Sequence, residues 1–502
     1  THELPEGHFF FRACAPGVVT VVDRELRTSL LLAPDRIVED WPVTTAAGFD
    51  VAAADVRARL DPSSVLVVLD DDPTGTQSVA GIPVLTRWER ADLDGALATG
   101  APAVYVLTNT RSLDERTAAQ RNRDIVEVTL AAAEEAGRRV TFVSRGDSTL
   151  RGHFPLETDV LAAEIEAHGG RTPALTLVIP AFPDAGRITV DAVHYWVTDD
   201  EATPVGETPF AADATFGYTA SDLREWVEEK TAGRIPAATV ASLNIRTIRA
   251  GVAEVEAFLR AQPVGAVVAV DVVDETDMRT VALALQAMDD RDVLLRVGPP
   301  YVRAHIGQEI AQPVQADDIP FAHERGGLIV VGSHVPLTTA QLAELKKDRP
   351  ETATVELDVR ALIGADRDAH LDAQAQATAA ALEEGSVIVH TTRELITGSD
   401  ADASLEIARR VSSGVVELVR RVLAIAPPRF VVAKGGITSS DIASEALEIR
   451  RATVLGPMLP GLVSLWQPET GPAVGIPYVV FAGNVGDTHS LATVVTTLVG
   501  DR

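Results

Sequence analysis

The sequence predicts an α/β protein: two three-layer α/β domains with mostly parallel sheets and a cleft between them. Three observations carry this expectation. A chain of 502 residues is too long for one ordinary hydrophobic core. Its composition, 46% hydrophobic and 23% charged, is that of a globular protein. Short Val/Ile/Leu runs alternate with Ala-rich stretches carrying Glu and Arg, the pattern of buried parallel strands covered by helices.

Taken in order, residues 1–60 read as an N-terminal extension with an apolar run at Gly17–Val22 and a helix around Val51–Leu60. Residues 61–318 form the first expected domain. Its strands are read at Val65–Leu69, Ala103–Thr108, Val140–Ser144, Ala174–Ile179 and Val264–Val270, with helices at Asp114–Ala136 and Thr158–His168. Pro313–Gly327, with its prolines, paired Asp and paired Gly, reads as a linker. Residues 325–502 form the second domain, with strands at Leu328–Val331, Ser386–His390, Arg429–Val432 and Tyr478–Phe481. Its helices fall at Asp368–Glu384, Asp402–Ala426 and Ile442–Leu447.

The formal net charge of −28 sets nucleic acid and anionic membranes aside as partners, since both would repel the chain. An acidic small molecule remains admissible where local arginines reverse the sign. Cys14 is the single cysteine, which leaves no intramolecular disulfide and no Cys-based zinc site. No apolar run is long enough to span a bilayer, and the N-terminal stretch lacks the features of a signal peptide, so the expected compartment is the cytoplasm. A homodimer is admitted as the assembly.

In open α/β sheets, ligands collect beyond the carboxyl ends of the strands. Three polar clusters of the first domain stand there. Asp70-Asp71-Asp72-Pro73-Thr74-Gly75-Thr76 sets three carboxylates side by side, which is costly unless a cation or proton relieves them. An Asp-Pro turn capping a helix would have the same composition. Thr108-Asn109-Thr110-Arg111-Ser112 follows the second strand and could equally be a capped loop. Arg145 to His153 (RGDSTLRGH) combines two Arg, one Asp and two hydroxyls, a set suited to a carboxylate and sugar hydroxyls. A fourth loop, Pro180 to Arg187, is a substrate-side candidate. His153 and His194 read as packed or hydrogen-bonded residues, and no metal site is expected.

In the second domain, Lys434-Gly435-Gly436-Ile437-Thr438-Ser439-Ser440-Asp441 has the glycines that let backbone N–H groups approach a phosphate. Lys434 is one of only four lysines, with Lys230, Lys346 and Lys347, which gives it weight as a phosphate partner. Gly332-Ser333-His334 and Gly483-Asn484-Val485-Gly486-Asp487 follow two further strands. Each alone is no more than a turn opening a helix; three Gly-containing loops at equivalent positions favour a nucleotide.

The order and wording of these motifs resemble the four-carbon acid sugar kinase family, from about Ser64 onward. The family's Asp-Asp-Leu-Thr-Gly opening stands here as Asp71 to Gly75, and its Lys-x-Asp-Ser-Thr-Leu-Arg-Gly signature as Arg145 to Gly152. Arg145 stands where the family has Lys, and Pro73 where it has Leu. The resemblance implies phosphorylation of a terminal hydroxyl of a tetronate such as threonate, erythronate or a 3-oxo-tetronate, with ATP and Mg2+ as cofactors. The expected substrate ligands are Asp71, Arg111, Arg145, Asp147, Ser148 and Arg151. Asp71, Asp72, Asp147 and Lys434 are the catalytic candidates. Ser333, Gly435, Gly436, Thr438, Ser439, Gly483 and Asn484 would hold the nucleotide.

Two other readings are open at this point. A strand ending in Asp70-x-Asp72-x-Thr74 fits a haloacid-dehalogenase-like phosphatase with Asp70 as nucleophile, although Leu491 stands where its later Asp belongs. A sugar-acid or nucleotide sensor without turnover is the non-enzymatic alternative.

Overall fold

The computed structural model describes residues 50–500, apart from 199–200, 289, 394–395, 397–400, 484 and the side chains of 401–405. Of residues 1–49 it describes only the backbone of five short strands between Phe11 and Ile37. The apolar run lies there as the backbone strand Val18–Val21, while Gly17 and Val22 fall outside the described residues.

One mixed sheet of 15 strands runs through the molecule. Its first eight strands are β1 (Ser64–Asp70), β2 (Ile82–Leu85), β3 (Ala103–Leu107), β4 (Arg139–Arg145), β5 (Leu175–Ile179), β6 (Ala241–Leu243), β7 (Ala266–Val270) and β8 (Val293–Val297). The next seven are β9 (Leu328–Val331), β10 (Ala353–Leu357), β11 (Val387–Thr391), β12 (Val431–Lys434), β13 (Arg451–Leu459), β14 (Leu462–Pro468) and β15 (Tyr478–Phe481). Their order across the sheet is β6-β7-β5-β8-β4-β1-β3-β2-β13-β14-β15-β12-β9-β11-β10.

Both faces of the sheet are buried along its central strands, which is why β1, β3 and β9 read as unbroken apolar runs. In β1, Val65, Val67 and Leu69 enter one core cluster while Leu66 and Val68 enter another. In β9, Leu328 and Val330 face one cluster and Ile329 and Val331 the other. Long helices cover the strands, among them Glu115–Ala136, Arg367–Glu384 and Ala401–Ile425. Among the described residues, no helix is long and apolar enough to cross a membrane.

The first eight strands are parallel to one another, and β15, β12, β9, β11 and β10 form a second parallel set. The hairpin β13–β14 joins them, pairing antiparallel to β2 on one side and to β15 on the other. Three successive reversals make the two parallel sets run in opposite directions. In β13 the register shifts between Val454 and Gly456, and Gly456 has φ +147°. Such a bulge bends and twists a strand, and the loops beyond the carboxyl ends of both sets meet in shared cavities. Side chains lock the seam. Trp466 Nε1 donates to Thr76 Oγ1 at 2.9 Å, Thr76 and Ser464 hydroxyls lie 2.8 Å apart, and Arg450 grips Asp92 at 2.8–2.9 Å.

Candidate active site

Strand β1 ends on the acidic triplet, and each carboxylate meets a different environment. Asp70 is 1% exposed and paired to Arg145. Burial pushes its carboxyl up to about 7 despite that partner. Asp71 is as deeply buried, yet neither carboxylate oxygen accepts a hydrogen bond, and Arg145 Nη1 stands 3.5 Å away. Burial raises its pKa and Glu157 adds to the rise, while Arg111 and Arg145 oppose it. Gly152, at φ +123°, lets the chain pass so close that a Cβ there would lie 2.9 Å from Asp71 Oδ2. Asp72 caps the turn Pro73–Ser78, accepting from the Thr74 N–H at 2.9 Å, and is paired to Arg111. Burial pushes the Asp72 carboxyl up, but Arg111, Arg145 and the Thr74 donors outweigh it and hold the pKa below the usual range.

Arg111 links this triplet to the third cluster, with Nη1 3.5 Å from Asp147. Arg151 Nε donates to Asp147 at 2.6 Å. These two arginines overcome the burial of Asp147 and keep its carboxyl far below the ordinary range. Arg145 differs from expectation. Besides pairing with Asp70, it donates to the Asp72 carbonyl at 2.5 Å and the Gly146 carbonyl at 3.2 Å, so it braces the triplet. His153 and His194 are buried and hydrogen-bonded to backbone carbonyls, His194 Nε2 lying 2.8 Å from Ser148 O.

Two cavities open on these groups. The first, about 800 Å³, carries Asp71, Asp72, Asn109 and Arg111 on one side and Gly332, Ser333, Gly435, Gly436, Thr438 and Gly483 on the other. It continues along an apolar wall that includes Val359, Val411, Val415 and Val416. The second, about 610 Å³, holds Arg145, Asp147, Ser148 and Arg151 together with Arg187, Trp196 and Phe210. Asp72 and Arg111 line both.

Trp196 and Phe210, from a region outside the motifs, meet edge to face at 5.3 Å, and Arg151 and Arg187 lie 5.3 and 5.9 Å from the Phe210 ring. Arg187 Nε is buried without a hydrogen-bond partner. No local pattern in the sequence marks these aromatic residues.

The nucleotide-side expectations divide. Strand β12 runs two residues further than expected, so Lys434 ends the strand and is fully buried. It lines neither cavity. Its ammonium donates to Ala482 O at 2.6 Å and lies 3.7 Å from the Phe481 ring centre. Burial lowers its pKa to about 7. The helix expected from Ile442 begins at Gly436 instead, which turns Ser439 inward to donate to Ala433 O at 2.7 Å. Asn484 lies outside the described residues. Asp70 lines neither cavity and is sealed against Arg145, so it is not placed to act as a phosphatase nucleophile.

Two cavities that share one Asp and one Arg have the layout that a group transfer between two substrates needs. Comparison with known proteins makes the class specific. Residues 66–305 match the family model described as the sugar-binding N-terminal domain, and residues 328–491 the one described as the nucleotide-binding C-terminal domain. The chain is 29% identical over 440 residues to the D-threonate kinase of Bordetella bronchiseptica, covering 84% of this chain and 95% of the relative. It is 28% identical over 376 residues to the D-erythronate kinase of Heliobacterium modesticaldum, covering 66% and 79%. A solved structure from Salmonella typhimurium LT2 shares the fold with a TM-score of 0.62 at 18% identity, covering 86% of this chain and 98% of that one. The chain belongs to the four-carbon acid sugar kinase family, and its class of activity is phosphotransfer.

Proposed function

We propose that this protein transfers the γ-phosphoryl group of ATP to a terminal hydroxyl of a four-carbon sugar acid of the threonate, erythronate or 3-oxo-tetronate type. The observation that carries the reading is the junction at Asp72 and Arg111, where a cavity rimmed by glycine loops meets one rich in arginine. Residues 61–318 supply the sugar-acid side and residues 325–502 the nucleotide side.

In the arginine-rich cavity, Arg151 and Arg187 offer guanidinium donors to the substrate carboxylate, with Phe210 holding both in place. The Ser148 and Thr149 hydroxyls suit the sugar hydroxyls. In the nucleotide cavity, the backbone N–H of Gly436, which opens a helix, is offered to the phosphates, joined by the hydroxyls of Ser333 and Thr438, while the Gly435 N–H is held by Phe481 O at 2.7 Å. Arg111, shared by both spaces, stabilises charge on the phosphoryl group in flight.

Asp71 serves as the base. A carboxylate that is buried, without hydrogen-bond partners and raised in pKa is poised to take a proton from the attacking hydroxyl. The substrate oxygen then bonds to the γ-phosphorus, the bond to the bridging oxygen breaks and ADP departs. Asp72 reaches the phosphate loop: a Cβ on Gly436 would lie 3.8 Å from its Oδ2. With the Ser333 and Thr438 hydroxyls it forms an oxygen donor set that suits Mg2+ carried in on ATP. When bound, the ion neutralises phosphate charge. The cytoplasm is the matching compartment, in keeping with an ATP-using enzyme that has one cysteine.

The test is ADP release from Mg-ATP with a panel of tetronate and 3-oxo-tetronate stereoisomers, run beside Asp71→Asn. ADP formed with one acid and lost in the variant is the expected result. Phosphate release from phosphorylated sugar acids without any ADP formation would sink the kinase reading.

A further inference from the structure

Beyond the phosphate loop, the nucleotide cavity is walled mainly by aliphatic side chains, and two of the polar ones that interrupt that wall touch each other. They are Ser412, on the helix Ala401–Ile425, and Asp441, which ends the helical turn Gly436–Asp441. Ser412 Oγ donates to Asp441 Oδ2 at 2.5 Å. Among the described residues, no side chain donates to the other carboxylate oxygen and no basic group pairs with Asp441. Its charged neighbour is Glu445, which repels it.

A half-buried carboxylate facing the space reserved for a polyphosphate is unfavourable unless a neutral group with donors meets it. Gly436 and Asp441 are five residues apart, about 7.5 Å along a helix. Asp441 therefore sits past the phosphates, toward the sugar. At this residue the α-helix gives way to a π-turn, Ile442–Ala446, a distortion frequent at functional sites.

We propose that Asp441, held by Ser412, is the specificity-determining acceptor for the ribose 2′,3′-diol of the nucleotide. A vicinal diol supplies two O–H donors that a carboxylate accepts, the chemistry by which acidic residues fix ribose in dinucleotide sites. Ser412 acts as a positioning residue, fixing the rotamer of Asp441. The aliphatic wall then receives the base. The inference rests on the kinase reading only for the identity of the nucleotide.

The experiment is calorimetric titration of the full chain with Mg-ATP and with Mg-2′,3′-dideoxy-ATP, in wild type, Asp441→Asn and Ser412→Ala. Wild type should bind the dideoxy nucleotide roughly ten-fold or more weakly, the scale of a charge-assisted hydrogen bond lost. Asp441→Asn should bring the two affinities together, and Ser412→Ala should narrow the gap while leaving the carboxylate in place. Because Ser412→Ala removes only one half-buried hydroxyl, it keeps the test readable if Asp441→Asn does not fold. Equal affinities in wild type, or a gap preserved in Asp441→Asn, would overturn the proposal. So would a variant that loses ATP-over-GTP preference with the dideoxy gap intact, which would assign the carboxylate to the base. A ribose preference that persists without ADP release from any sugar acid would leave this site standing and remove the kinase reading instead.

Discussion

Asp71 and Lys434 are the two buried charges whose roles are most open to single substitutions. Asp71→Asn keeps size and removes basicity without stripping a hydrogen bond, since neither oxygen has one. The expected outcome is a kcat lower by about 10²–10⁴ with KM little changed, the range for losing a general base. In wild type, kcat should fall as pH drops through the raised Asp71 pKa, and that acid limb should vanish in the variant. Steady-state rates across a pH series check both statements. For Lys434, burial lowers the folded pKa to about 7, against 10.5 as its ordinary value. The unfolded chain therefore binds more protons between those values, so this residue adds stability as pH rises from about 7 toward 10. Comparing Tm of wild type and Lys434→Met over that interval should show the difference shifting in favour of wild type. A difference that stays flat would mean the ammonium remains charged, held by Ala482 O and the Phe481 ring.

The same two residues mark what the sequence made readable. Asp71, Arg111 and Ser333 could be picked out because they stand directly after apolar strands, where side chains are presented to ligands. Lys434 could be seen as unusual, but its burial depends on a carbonyl and a ring about fifty positions later in the chain. Trp196 and Phe210 belong to the arginine-rich cavity only through tertiary packing, so no local pattern points to them.

Among elements, the hairpin β13–β14 was the one least legible. Gly456 and Pro457 read as breakers, and only their pairing with Leu465 and Ser464 makes them strand, while Pro460 and Gly461 form the turn between the two strands. Strands β8 and β10 were likewise not anticipated, each carrying a charged residue, Arg296 and Glu356, inside the run. Runs such as β1, β3 and β9 were recognisable because burial on both faces leaves no polar positions. The hairpin's bulge should be sensitive. In Gly456→Ala the Cβ would meet Val314 at 3.1 Å in a backbone region that disfavours side chains. The expected cost is about 1–3 kcal/mol, read as a lower Tm. Trp466→Phe removes the bond to Thr76 and leaves space in a closed core, and should cost a further about 1–3 kcal/mol.

At the scale of the whole molecule, the two cavities share walls contributed from both ends of the chain. Asn109, from the first parallel set, bonds Ser440 from the second, beside the junction at Asp72 and Arg111. Ligands on either side thus bear on the same contacts. A non-reactive pair, a sugar acid with an ATP analogue that cannot transfer phosphate, should raise Tm by more than the sum of the single-ligand shifts. Each ligand alone at one hundred times its Kd adds about 2.7 kcal/mol by mass action, so the excess measures the coupling. Thermal denaturation with the four ligand combinations decides it, and a strictly additive result would make the cavities independent.

The seam between β2 and β13 also governs how the chain is born. Thr86 finds the Ile449 carbonyl 363 positions downstream. Until that late segment leaves the ribosome, β2 is a bare sheet margin of Ile82, Pro83, Val84 and Leu85, and such margins recruit other strands. Nascent chains should therefore depend on chaperones through most of synthesis. A fragment ending near residue 318 should self-associate, while the same fragment supplied with a peptide spanning the hairpin should remain dispersed.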